Sequence, residues 1–471
     1  MVCPPTTVNA RRPRPSSTVI YNNGSKMAEI KPFRGIRYAW EDLDASELED
    51  LVAPPYDVIS DDEQDELYAR HRANVVRLDL NRIKRSDNGE DNRYERARRH
   101  LFDWIAQGLV VVDREPTIYV HEQQFEDEAG TTYARRGFIS LVRLADYDER
   151  VVLPHERTLR GPKKDRLELM KATECNLSQI FFLYDDPDSA VDGSLYSPIE
   201  AGVEATLDIT TEDGIRHRLW PITDKEVQTT VMGALKDSPL LIADGHHRYE
   251  TALAYRNFRR RIADEPDENA PYEFVMGFLV NIHDPGLQVF PTHRVVHSLD
   301  DFDFGVFLQD LDATGHFSVE PIADELLKDL DALRSELGRL GESATSFAVV
   351  SPGASRGAWV RFIGDGEASF FDADMPESVR RLDVTILHDG IFDSLLGIDR
   401  AAQREMTNLA YIKSWGGADK SLASEDTQMV VFMNPTPVEQ VNDVCLSGSK
   451  MPQKSTYFYP KILSGLVWNP L

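Results

Sequence analysis

The stretch "LLIADGHHRYETALAYR" (residues 240–256) restricts the fold more than any other part of the chain. Its apolar start reads as a buried strand. Asp244 and Gly245 break that strand, and Gly245 permits a sharp turn with close backbone approach. "YETALAYR" then reads as an amphipathic helix, with Ala252, Leu253 and Tyr255 available for packing. The N–H groups of a helix's first turn form an anion site. His246, His247 and Arg248 add donors or positive charge there. Asp244 is placed to orient an imidazole or to hold a divalent ion. A phosphate-binding strand–turn–helix is preferred over a capping Asp with two packing histidines, because four polar groups follow directly on an apolar strand. Zinc fits poorly, since adjacent histidines rarely point the same way and no H-E-x-x-H is present. No metal-ligand residues are assigned.

A second basic cluster lies in "VVLPHERTLRGPKKDRLELMKAT" (151–173). It holds His155, Glu156, Arg157, Arg160, Lys163, Lys164 and Arg166 in a chain of 79 acidic against 52 basic residues. His155 and Glu156 can pair a general base with an orienting group, and the basic run can clamp phosphates. The competing reading is a solvated loop with charges of both signs. Four further segments are weaker. "VFPTHRVVH" interrupts an apolar strand with His293 and Arg294, as pocket lining or as a satisfied strand end. "LHDG" (387–390) is similar. "MPQKSTYFYPK" offers Lys454, Ser455 and Thr456 to a phosphate or Mg²⁺, without the glycine-rich loop of a Walker motif. "APPYDVIS" presents Tyr56 and Asp57 from a rigid proline loop, toward a pocket or as a turn with a carboxylate cap. No G-x-S-x-G or dinucleotide fingerprint occurs.

The formal net charge of −27 argues against a surface that neutralises nucleic-acid phosphates, yet leaves room for a small basic pocket. With 471 residues and 41% hydrophobic content, more than one core is expected. Residues 1–26, rich in Pro, Ser, Thr, Asn and Arg, read as a disordered extension, with Met27 as an alternative start. From Ile30 the chain reads as mixed α/β (α+β). The expected division is an N-terminal α/β part (27–150), a core around the histidine–arginine turn (151–300), an insertion or subdomain (301–380) and a C-terminal α/β part packing on the core (381–471). "NVVRLDL" (74–80) alternates like a strand. Residues 94–107 read as a helix ended by Gly108, and "TIYVHEQQF" and "RRGFISLVRL" as paired strands. "RLELMKAT" (166–173) reads as a short helix, "LQVFPTHRVVHSL" (287–299) as a strand, and "LDVTILHDGIFDSLLGI" as a buried helix. Three cysteines without a C-x-x-C pair suit a reducing cytoplasm, and no apolar run reaches the length of a membrane span.

"FRGIRY", "VAPPYDVIS", "LPHERTL", "NLSQIFFLY", "IADGHHRYETAL", "LHDGIF", "NPTPVEQV" and "MPQKSTYFYPK" occur in consistent order from Ile30 to the C-terminus. Together they resemble the family catalogued as domain of unknown function 1015. "IADGHHRYETAL" is also similar to the box of the ParB/sulfiredoxin superfamily and its free-serine kinases. This resemblance implies a ParB/sulfiredoxin-like core with large elaborations. It implies that Gly245, His246, His247 and Arg248 contact nucleotide phosphates, with Asp244 near the metal or the acceptor, and Glu156 as the acid that activates the acceptor hydroxyl. His246 or His247 stands where sulfiredoxin has its reactive cysteine, which argues against sulfinic-acid reduction. The expected function is a nucleotide-dependent phosphotransferase using ATP or ADP with Mg²⁺ on a small hydroxylated metabolite, free L-serine being the named candidate. A phosphohydrolase using the same cradle and a non-catalytic nucleotide-sensing module are the alternatives. The expected partners are the nucleotide and a small substrate, without nucleic acid or membrane and with the oligomeric state open.

Overall fold

The computed structural model describes residues 28–471 apart from 157–159, 237, 266, 355, 367 and 453. The expected N-terminal extension and Arg157 lie outside the described residues.

Two large sheets organise the chain. The larger has nine strands. Eight run in the order Val152–Pro154, Leu240–Asp244, Ile180–Tyr184, Phe274–Asn281, Thr132–Arg143, Ile118–Glu126, Arg216–Ile222 and Leu207–Thr210. The ninth, Ile30–Lys31, pairs with Thr132–Arg143. Leu240–Asp244 is parallel to Val152–Pro154, and Phe274–Asn281 is parallel to Ile180–Tyr184. The other pairs are antiparallel. The fold is mixed α/β.

The strand "IFFLY" shows why the central strands carry unbroken apolar runs. Ile180, Phe182 and Tyr184 enter one core with Leu195, Ile242 and Tyr249. Phe181 and Leu183 enter the other with Leu241, Ala243 and Phe458. A strand covered on both faces has no polar side to display, so its side-chain alternation is invisible in the hydropathy pattern.

The second sheet has six strands, all antiparallel, in the order Phe317–Pro321, Gly357–Phe362, Ser346–Val350, Thr427–Met433, His293–His297 and Leu409–Ile412. Only the first three come from the stretch 301–380. The other three come from either side of it, so limits at 300 and 380 cut through one sheet. The C-terminal stretch returns to the larger unit. Tyr457–Tyr459 pairs with Gln288–Phe290, and Asn469–Pro470 pairs with Cys175–Asn176.

Four local expectations change. Residues 74–80 contain a short helix, Val76–Asp79, instead of a strand. Val75, Val76 and Leu78 are all buried, and the Asn74 side chain accepts from the Val76 N–H while donating to the Asp50 and Val52 carbonyls. Alternation over so few residues does not distinguish a strand from a single helical turn. The single strand expected over 287–299 is two strands in different sheets, separated at Pro291, whose missing N–H cannot serve a ladder. The helix expected from 166 begins at Arg160. The buried helix expected over "LDVTILHDGIFDSLLGI" contains an eight-residue π-helix, Ile386–Asp393. Among the described residues no helix is long and apolar enough to cross a membrane.

Candidate functional site

Parallel pairing of Val152–Pro154 with Leu240–Asp244 sets Pro154 opposite Ile242. Both strands therefore end at the same edge, and His155–Glu156 emerges beside the turn at Asp244–His247. The antiparallel neighbour Ile180–Tyr184 begins at that edge too, since Phe181 faces Asp244. Sheet topology alone thus gathers three segments that lie far apart in the chain.

Gly245 joins strand and helix with φ 93° and ψ 28°, a left-handed conformation that side chains disfavour. A Cβ there would also stand 2.9 Å from Arg248 Nε. The helix His246–Ile262 spans 17 residues. Successive helical residues point about 100° apart, so His246, His247 and Arg248 cannot all face one ligand. His246 turns inward. Its Nε2 accepts the His155 backbone N–H at 3.2 Å, and the two rings meet edge to face at 4.6 Å. Burial, then the neighbouring His155, holds its pKa well below the ordinary value, so it is neutral. Arg248 also turns inward. It donates to the Gln179 carbonyl, and its Nη2 meets Asp244 Oδ2 at 2.5 Å. His247 is the half-exposed member of the three.

Asp244 has both oxygens engaged, Oδ2 by Arg248 and Oδ1 by Lys461 Nζ at 2.6 Å. Burial opposes its charge, but Lys461 and Arg248 outweigh that and keep it ionised far below the usual carboxylate range. His155 is fully buried. Its Nδ1–H donates to the Ile242 carbonyl at 2.8 Å, and its Nε2 accepts the Thr456 hydroxyl at 3.1 Å. Burial pushes it down to about 4, so it is neutral at physiological pH. Glu156 Oε1 lies 3.9 Å from His155 Nε2, with the Glu156 side chain about one-third exposed. Burial and then Asp244 raise its pKa, while Lys454, Lys461 and His247 partly offset them.

The cations expected from the turn itself are therefore mostly committed elsewhere. Other cations lie nearby. Lys461 holds Asp244, and its Nζ lies 5.3 Å from the Tyr457 ring centroid. Lys413 Nζ lies 4.5 Å from the same ring. Lys450 Nζ donates to the Glu156 carbonyl at 3.2 Å, and the Met451 N–H donates to the His155 carbonyl. Exposed Lys454 has φ 56°. Nothing in the local sequence marks Lys450, Lys413 or Lys461. The one available signal was the concentration of lysine in the last sixty residues of an acidic chain.

The remaining candidates divide. Lys163 Nζ binds Glu250 Oε2 at 2.6 Å, tying its helix to the turn's helix, and Lys164 is exposed. Ser455 is buried, with its hydroxyl donating to the Pro452 carbonyl. The Tyr56 ring lies 4.0 Å from the Arg166 guanidinium, and burial pushes its hydroxyl up to about 12 against Arg248 and Arg166. Asp57 is exposed, and its charge acts on Arg248 and Tyr457. His293 and Arg294 lie in the second sheet's core instead of on a pocket wall. His293 Nδ1 accepts the Met433 N–H, with its ring against Trp415 and Phe432. Arg294 links His388 to the Lys454 carbonyl. Both are less than 3% exposed because the strand His293–His297 is flanked by a strand on each side.

A conserved hypothetical protein from Pyrococcus furiosus has a similar structure, with TM-score 0.31 and 14% identity over 67% of this chain and 92% of that one. A free serine kinase in complex with AMP matches with TM-score 0.29 and 14% identity over 67% and 89%. SbnI with a C-terminal truncation, from Staphylococcus aureus, matches with TM-score 0.31 and 10% identity over 69% and 85%. No curated protein matches the chain. The model of a family described as protein of unknown function (DUF1015) matches residues 30–385. That span contains the turn and His155–Glu156, and it ends before Lys413, Lys450, Lys454 and Lys461. The chain belongs to the DUF1015 family.

Proposed function

We propose that the turn and the lysines around it form a nucleotide phosphate site, and that the protein transfers a phosphoryl group from ATP or ADP to the hydroxyl of a small metabolite, free L-serine being the first to test. The observation that carries this reading is the start of the helix His246–Ile262. It has no side-chain cap and no acidic residue in its first turn. Most other helices of ten or more residues here begin on Asp, Asn or Ser. An uncapped helix start beside Lys461, Lys454 and Lys413, in a chain of net charge −27, suits an anion.

Within this reading Asp244, ionised and held by two cations, positions Arg248 and Lys461 and is a poor base. Glu156, less committed and with a raised pKa, is the better one. The acceptor O–H gives its proton to the Glu156 carboxylate. The acceptor oxygen bonds to the terminal phosphorus as that atom's bond to the nucleotide breaks, and the nucleotide leaves one phosphate shorter. Among the described residues no group of three or more His, Cys, Asp or Glu is placed to hold a metal ion. Mg²⁺ would therefore arrive on the nucleotide and neutralise phosphate charge, with exposed Asp57 as the carboxylate left to meet it. A cytoplasmic setting goes with such a donor.

Turnover with ATP or ADP, Mg²⁺ and serine tests the reading. Glu156→Gln is expected to lower kcat by about 10²–10⁴-fold while nucleotide affinity stays within about twofold. Lys461→Ala is expected to weaken nucleotide binding by about tenfold, on the order of 1.4 kcal/mol. Phosphate release without any phosphorylated acceptor would replace the kinase reading with a hydrolase. Nucleotide affinity untouched by Lys461→Ala would remove the cradle.

A further inference from the structure

A cleft of about 640 Å³ opens between the π-helix Ile386–Asp393 and the loop 448–452. The loop separates it from the turn, since Lys450 and Met451 line the cleft while bonding to the carbonyls of Glu156 and His155. π-Helical turns are rare and recur at functional sites. Here the π-helix brings "LHDG" to the cleft wall, where His388 and Asp389 stand.

Most polar groups in that wall are satisfied. His388 Nδ1–H donates to Gln403 Oε1 at 2.8 Å, and its Nε2 accepts from Arg294 Nε at 3.3 Å. The Tyr411 hydroxyl donates to the Gln403 carbonyl. Arg400 spans Asp372 and Asp389 at 2.9 and 3.2 Å. Three of the groups left over bear on a ligand. Thr385 lines the cleft and is 1% exposed, yet its hydroxyl has no hydrogen-bond partner among the described residues. A buried hydroxyl without a partner costs roughly 1–3 kcal/mol, so it marks a place where a polar ligand atom would be welcome. At the exposed margin Asp374 and Arg404 carry opposite charges, and neither has an ion-pair partner among the described residues. Met375, Val379 and Met451 supply apolar wall.

We propose that this cleft is a second ligand site, separate from the turn, for a small zwitterion of the α-amino-acid class. Arg404 takes the carboxylate, Asp374 takes the ammonium, and the side chain lies on Met375 and Val379 toward the Thr385 hydroxyl. A single-sign ligand would leave one margin charge unmatched, whereas a zwitterion matches both. The site does not depend on phosphoryl transfer at the turn.

Calorimetric titration of the full chain with each common L-amino acid, one at a time, tests this. At least one is expected to bind saturably. Arg404→Ala and Asp374→Asn, both at exposed positions, are each expected to weaken that binding by about tenfold. Thr385→Val keeps the shape, removes the hydroxyl and is expected to weaken it by several-fold. Lys461→Ala at the turn is expected to leave it within about twofold. Propionate and ethanolamine, each carrying one of the two charges, are expected not to compete. Absence of binding by every amino acid would overturn the proposal. So would binding indifferent to the two margin variants, or binding lost with Lys461→Ala. Nucleotide affinity measured on the same samples reports on the turn independently, so failure at one site is distinguishable from failure at the other.

Discussion

Two of the chain's His–Arg pairs, His247–Arg248 and His293–Arg294, do opposite things. His247–Arg248 sits at a helix start, where Arg248 is buried against Asp244 and the Gln179 carbonyl. Burial opposes that guanidinium's charge, but Asp244 more than restores it. His293–Arg294 sits in a buried strand. Arg294 donates to the Thr292 and Lys454 carbonyls and to His388 Nε2, all neutral acceptors, and burial lowers its pKa. The same dipeptide is thus a charge pair in one place and an uncompensated buried cation in the other. What separates them is whether an oppositely charged group shares the enclosure.

The largest effect expected from this contrast is on acid stability. His121, His155, His217, His246, His293 and His388 are all buried, and burial lowers every one of them, His155 to about 4 and His293 to about 3. An imidazole whose folded pKa lies below its unfolded value takes up its proton on unfolding. Stability is then complete above the unfolded pKa and is lost as pH falls toward the folded one. For His155 that window runs from 6.5 to about 4 and is worth about 3 kcal/mol. Urea unfolding between pH 7 and pH 4.5 should show a steep loss, and a flat profile would mean that these imidazoles are charged in the folded state.

Next in size is Arg248→Ala. It strips one partner from a buried pair and is expected to cost about 3 kcal/mol, the low end for such changes because Lys461 still serves Asp244. Arg294→Met should cost less, about 1–2 kcal/mol. It leaves carbonyl acceptors short of a donor but also removes a charge that nothing neutralises. Chemical denaturation of both variants measures the order of the two costs. Arg294→Met costing more than Arg248→Ala would reverse that order and would point to a carboxylate partner for Arg294 that the described residues do not supply.

Local pattern carried a good part of this fold. The strand–glycine–helix at residues 240–262 follows from apolar spacing and from a turn only glycine tolerates. The helix Arg93–Ala106 ends before Gly108, whose φ of 76° is a left-handed stop. The strands Ile118–Glu126 and Thr132–Arg143 pair around their turn as their alternation implies. The helix Val76–Asp79 is hidden because alternation over so few residues fits a single helical turn as well as a strand. The division of residues 287–299 between two sheets escaped because hydropathy does not say which sheet a strand joins.

The candidate site is legible in its centre and hidden at its edge. A strand, a glycine and a helix start lie within one short window, so a local reading reaches them. The direction in which His246, His247 and Arg248 each point depends on helical rotation against a packed neighbour, and only the tertiary structure decides it. Lys461 meets Asp244 across a sequence separation of 217, and Thr456 meets His155 across 301. Such contacts exist because the C-terminal stretch closes back over the larger sheet. Sequence by itself determines elements whose causes lie within a few residues, namely a backbone angle, a cap or a hydrophobic period. Which distant cation neutralises which buried carboxylate is determined by chain closure, and no period or motif in the sequence encodes it.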